Sequence, residues 1–172
     1  MIFVRFGKMK GENDMKKGIG AFISTLAGAV AGAAAVGASS TKKIKRKDEA
    51  LKKVHELYMA FDQWLRIRQE GKTLEEYFRN QDYKTVAIYG MKELGEHLYE
   101  ELKDTGITVK YIIDKNADSI YADVDVFTPD DELDPVDVIV VTAIYYFDEI
   151  EEMLSQKVDY PVVSLEDILY EV

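Results

Sequence analysis

A chain of 172 residues with 47% hydrophobic side chains has room for one packed domain plus an appendage, and it is too apolar to be a disordered polymer. It contains no cysteine, which excludes disulfide frameworks, thiolate zinc sites, iron–sulfur clusters and cysteine nucleophiles. The net charge of −10 is unevenly spread: residues 1–47 hold ten Lys/Arg against two Asp/Glu, and residues 48–172 hold twelve against thirty.

Residues 1–17 read as a basic tail suited to anionic lipid, whereas the acidic body would repel a phosphate backbone, so nucleic acid is not an expected partner. Residues 18–40, GIGAFISTLAGAVAGAAAVGASS, carry no charge over 23 positions, enough helix to cross about 30 Å of hydrocarbon. Ala and Gly dominate the stretch, and three readings stand. It is a single-pass membrane anchor, or a glycine-zipper helix that self-associates through Gly28 and Gly32, or a signal peptide started at Met15 and cut near V-G-A-S-S. Five cations before it (Arg5, Lys8, Lys10, Lys16, Lys17) and seven after it, from Lys42 to Lys53, favour a cytoplasmic C-terminal part. A start at Met15 would sharpen that bias to two against seven. Without an anchor the protein would be cytoplasmic, and with a signal peptide it would be exported. The stretch resembles the small-residue-rich N-terminal helices of short envelope-associated bacterial proteins.

Residues 41–82 read as a helical linker. Leu51, Val54, Tyr58, Phe61 and Leu65 recur at steps of three and four, with Leu57 and Trp64 widening the stripe. The stripe serves either as a short coiled coil or as a face packed on the following domain. Gly71 interrupts the helix, and the sequence TLEE then predicts a capping box between Thr73 and Glu76 that opens a second short helix.

Residues 83–172 alternate strand and helix. KTVAIY (84–89), VKYIID (109–114), VDVF (124–127), VDVIVVTA (136–143) and PVVS (161–164) read as strands. The fourth is continuously apolar, as a strand buried on both faces should be. Helices are expected over Glu93–Lys103, over Tyr146–Gln156, and after the N-cap Ser164. The order βαβ(β)βαβα predicts an α/β fold: a small Rossmann-like parallel sheet of about five strands flanked by helices, preceded by the hydrophobic helix and the linker.

The first strand runs into Gly90-Met91-Lys92-Glu93-Leu94-Gly95. In a G-x-G-x-x-G turn the first glycine makes the tight turn, the second admits the pyrophosphate and the third allows close helix–strand packing. Gly90 and Gly95 hold the outer positions, and Lys92 stands at the middle one. Its side chain fills the phosphate position unless it swings aside, where its ammonium would pair with phosphate, provided the backbone needs no positive φ. Glu93 and Glu96 disfavour an anion, and the stretch also serves as a plain strand-to-helix turn. Asp114, 24 residues after Gly90, is placed for a ribose or base edge, although D-K-N-A-D is equally good turn chemistry. Thr142, after the fourth strand, lies where such a sheet meets its ligands. The candidate binding residues are therefore Gly90, Met91, Lys92, Gly95, Asp114 and Thr142.

No catalytic set emerges. Tyr145 and Tyr146 lack the lysine four residues on that a short-chain dehydrogenase needs, and His55 and His97 are isolated, forming neither a metal site nor a triad. The acids at 130–132 and 148–152 read as solvated surface.

The strings YKTVAIYGMKELGEHLYEEL, VKYIIDKNAD, VDVIVVTAIYYFDEI and SLEDILYEV together resemble a small Rossmann-like domain found beside bacterial cell-surface polysaccharide genes. That domain is often fused to glycosyltransferases and carries G-M-G-E-L-G in its loop; WLRIRQEGKTLEEYF resembles its lead-in helix. More distantly, the chain is similar to the N-terminal domain of bacterial sugar acyltransferases, where a glycine loop and an aspartate after the second strand bind a nucleotide-sugar. The resemblance covers about residues 50–172. It carries over Gly90, Gly95 and Asp114, and departs at Lys92. Taken with the candidate anchor over 18–40 and the lack of a catalytic set, it leads to the expectation of a membrane-tethered, non-catalytic binding or scaffolding module; the resemblance itself implies the link to surface-polysaccharide or nucleotide-sugar metabolism, a biosynthesis protein as partner and NAD(P) or a nucleotide-sugar as ligand. Two alternatives stand beside it: an epimerase- or dehydrogenase-like fragment, and a structural envelope protein that oligomerises through Gly28 and Gly32.

Overall fold

The computed structural model describes residues 43–172, and the chain divides into two units, Met1–Leu51 and Lys52–Val172. The expected membrane span over 18–40, with Gly28 and Gly32, lies outside the described residues. Among the described residues, no helix is long and apolar enough to cross a membrane.

Helix α1 is described over residues 43–69, and its part from Lys52 onward belongs to the second unit. The face it buries is only part of the expected stripe. Ala60, Trp64 and Ile67 are buried and Leu57 and Phe61 half-buried, whereas Leu51, Val54, Tyr58 and Leu65 are 68%, 64%, 62% and 57% exposed. Both rows recur at helical spacing, so periodicity alone cannot choose between them. After Gly71, α2 runs Glu75–Asn80 with Phe78 fully buried. The Thr73–Glu76 capping box does not form: Leu74 is the N-cap, and a carboxylate from another helix, that of Glu101, accepts its N–H at 2.8 Å.

The other elements follow the apolar runs: β1 Thr85–Tyr89, α3 Glu93–Leu102, β2 Thr108–Ile113, β3 Asp125–Phe127, β4 Val138–Val141, α4 Phe147–Leu154, β5 Val162–Ser164 and α5 Leu165–Glu171. Every residue of β4 is buried, and the Ser164 hydroxyl accepts from the Glu166 N–H to cap α5. The five strands form one all-parallel sheet in the order β3-β2-β1-β4-β5.

From β1 the chain winds outward to β2 and β3, and from β4 it winds the other way to β5. Right-handed crossovers in opposite directions put their helices on opposite faces. Accordingly α3 packs with α1, α2 and α5 on the face formed by Val86, Ile88, Val138 and Val140. Helix α4 covers the other face, formed by Ala87, Tyr89, Ile113, Ile139 and Val141, through Ile150 and Leu154. Winding reverses between β1 and β4, which leaves a crevice at their carboxyl ends.

Asp137 fastens the opposite end of the same two strands. Its Oδ2 accepts from the N–H groups of Lys84 and Thr85, both at 2.8 Å, and from the Thr85 hydroxyl at 2.9 Å. These bonds hold its carboxyl below the ordinary carboxylate range. A lowered folded-state pKa stabilises the fold above the unfolded value, and that contribution disappears as pH falls through the folded one. Asp137→Asn should therefore lower the urea midpoint at pH 7, and the gap from the natural protein should close as the solution is acidified below both values. A gap that stays constant with pH would rule out this origin.

Candidate functional site

At the crevice, Gly90 leaves β1 with φ +93°, a conformation that L side chains rarely adopt. A Cβ there would lie 3.0 Å from the Thr142 Oγ1. The Thr142 hydroxyl faces two carbonyls, those of Gly90 at 2.7 Å and Tyr89 at 3.1 Å, and has one proton to share between them. Thr142 thus ties the β4 end to the β1 turn, a structural use for a residue expected to meet a ligand.

Gly95 lets α3 come down on that turn: a Cβ there would stand 2.0 Å from the Gly90 carbonyl oxygen. Lys92 has φ −91° and ψ −162°, an extended backbone open to any residue, so the middle position of this loop demands no glycine. Lys92 is the N-cap of α3 and offers no side-chain bond to it, which leaves the first-turn N–H groups without a side-chain cap.

Asp114 uses both oxygens on loop backbone. Oδ2 accepts from the Met91 N–H at 3.0 Å, and Oδ1 accepts from the Asn116 N–H at 2.8 Å. Each oxygen keeps a second lone pair for another donor. The turn role and the ligand role of this residue are therefore compatible.

A cavity of about 650 Å³ opens over these residues, inside the range of small-molecule sites. Gly90, Lys92, Asp114 and Thr142 line it. Met91 does not: it lies on a separate cleft of about 690 Å³ with Tyr99, Lys103 and Tyr121. Gly95 sits behind the wall as a spacer. The remaining lining was not foreseen. Lys53 and Leu57 come from α1, Tyr145 and Tyr146 from the turn after β4, and Glu149 from α4. The Lys53 ammonium stands 4.6 Å from the Tyr145 ring centroid and 4.2 Å from that of Tyr146, and it also contacts the Tyr146 hydroxyl. Three lysines, Lys53, Lys92 and Lys115, share the wall with three acids, Glu93, Asp114 and Glu149. Such a lining suits a ligand with both anionic and hydrogen-bonding parts.

Tyr89, the last residue of β1, also lines the cavity. It is 4% exposed, and its hydroxyl has no hydrogen-bond partner among the described residues. Burial, with the carboxylates of Asp114 and Asp130 adding to it, pushes the phenol above its ordinary pKa, so it stays a protonated donor. One sequence signal pointed there: an aromatic with a polar tip closing a central strand at its carboxyl end. His55 and His97 are exposed, and His97 lies edge-on to Phe61, its ring centroid 5.5 Å away. No group of three or more metal-ligating side chains suited to an ion occurs among the described residues.

Fold and crevice together define a small Rossmann-like parallel α/β domain with a ligand-sized cavity at its topological switch point. No family model, no curated protein and no solved structure matches the chain.

Proposed function

We propose that this protein is a membrane-tethered, non-catalytic binding module of surface-polysaccharide or nucleotide-sugar metabolism, which takes NAD(P) or a nucleotide-sugar in the cavity over β1 and β4. The observation that carries the reading is the extended backbone of Lys92 at the head of α3. It leaves the first-turn amides without a side-chain cap beside a lysine that lines the cavity. In this reading the diphosphate lies between the Lys92 ammonium and those amides, and Asp114 accepts from a ribose hydroxyl with its remaining lone pairs. The non-catalytic part rests on the lining, which holds neither a histidine nor a Tyr-x-x-x-Lys pair. The tether rests on residues 18–40 and their flanking cations, and the metabolic setting rests on the resemblance of residues 50–172.

Calorimetric titration of the full chain in detergent with NAD(H), NADP(H) and UDP-sugars tests the reading. The natural protein should bind one of these classes, and Asp114→Ala should weaken that binding about tenfold or more, the loss of one to two hydrogen bonds to a charged acceptor. Lys92→Gly should weaken it as well. Binding by Lys92→Gly but not by the natural protein would mean that the lysine closes the cradle, and would overturn the proposal.

A further inference from the structure

We infer that Tyr89 is a specificity-determining residue of this cavity, whose hydroxyl donates to a hydroxyl-bearing part of the ligand such as a ribose or sugar ring. The inference rests on the reading of the cavity as a nucleotide-type site and adds which group within it discriminates.

A buried polar atom without a partner is rare in folded proteins, because it forfeits its bonds to water and gains nothing in return. Tyr89 has such an atom on a side chain that is 96% covered, at the carboxyl end of the central strand, where ligands of this sheet type gather. Its side chain belongs to the α4 face, and Ile150 and Met153 of α4 line the same cavity. Phenylalanine would satisfy the packing there equally well, so packing does not account for the hydroxyl.

The neighbours indicate what it reads. Asp114 lines the same cavity and is an acceptor only. A ligand group held by both must donate to the carboxylate and accept from the phenol. An alcohol does both with one oxygen; an anionic phosphate oxygen would be repelled by Asp114. The hydroxyl-bearing part of the ligand therefore belongs beside Tyr89 and Asp114, and its anionic part beside the Lys92 ammonium. An unpaired buried donor raises the free energy of the empty site, so a ligand that satisfies it gains more than it would from an exposed bond. A ligand without that hydroxyl is discriminated against.

Tyr89→Phe in the full chain, with NAD and UDP-glucose as probes, separates the outcomes. The expected result is opposite changes in one variant: a raised unfolding midpoint without ligand, since the orphan is removed, and binding of the responsive probe weakened about tenfold or more. Unchanged binding by Tyr89→Phe, with binding still lost in Asp114→Ala, would overturn the inference and leave the nucleotide site standing. A lowered midpoint without ligand would also overturn it, because the hydroxyl would then have a structural partner. Failure of the natural protein to bind either probe, or any other nucleotide tested, would remove the site and the inference together.

Discussion

Gly95→Ala is expected to destabilise the protein by about 3 kcal/mol or more, the high end for a single added methyl. The new Cβ would sit 2.0 Å from the carbonyl oxygen and 3.0 Å from the carbonyl carbon of Gly90, with the Thr142 Oγ1 a further 3.3 Å neighbour. Real side chains do not tolerate such contacts, and the obstacle is backbone, so no rotamer change relieves it. Gly90 cannot retreat easily, because its N–H donates to the Ile113 carbonyl at 2.8 Å and its carbonyl is held by Thr142. The relief left is to lift α3 off the sheet, which would unpack Leu94, Leu98 and Leu102, all buried. Equilibrium urea unfolding followed by circular dichroism measures the loss. Any ligand affinity should fall with it, since α3 carries Lys92. A midpoint within error of the natural protein would mean that α3 does not approach β1 so closely.

Glu101→Ala is expected to cost about 2–4 kcal/mol, although glutamate on a helix is ordinarily a surface residue of small consequence. Its side chain is 12% exposed. Oε2 accepts from the Trp64 indole N–H at 2.7 Å, and Oε1 accepts from the Leu74 N–H at 2.8 Å and lies 3.4 Å from the Arg68 guanidinium. One carboxylate on α3 thus ties both α1 and the start of α2 to that helix. Truncation orphans two buried donors at once, and each carries the desolvation penalty of an unmade bond. Glu101→Gln should recover part of the loss, because its carbonyl oxygen serves one donor while its amide opposes the other. Trp64 is the sole tryptophan, so its fluorescence reports this site directly. An unchanged midpoint together with unshifted emission in Glu101→Ala would show that the helices are held by apolar packing alone.

Both substitutions mark the division between what a linear reading reaches and what it does not. Strand and helix identity was legible because burial on the pleat and on a helix face leaves local periods: Val138–Val141 is apolar at every position and is buried on both faces. Ser164 was legible as a cap because capping is a bond to a backbone amide two residues on. The Gly90 and Gly95 pair was legible for the same reason, a local geometry with a spacing of its own.

Where a residue's partner lies far along the chain, the local pattern misled or was silent. The TLEE signature was sound as local chemistry, yet Leu74 rather than Thr73 became the N-cap, and its N–H went to Glu101, 27 residues away. Helix α1 carries two apolar rows, and folding buried the one with Trp64 and Ala60 and left Val54, Tyr58 and Leu65 outside. The site followed the same rule. Gly90, Lys92 and Asp114 were found from loop spacing, while Lys53 and Leu57 reached it from α1 only through packing.

The elements, their order and the first turn of the site are therefore local properties, because they follow from periods of two and 3.6 and from the chemistry of a few consecutive residues. Which face of α1 is buried, whether Lys92 needs a glycine's backbone, and which buried hydroxyl among the described residues is left without a partner are properties of the packed fold. Those depend on distances between segments that the chain brings together only after it folds.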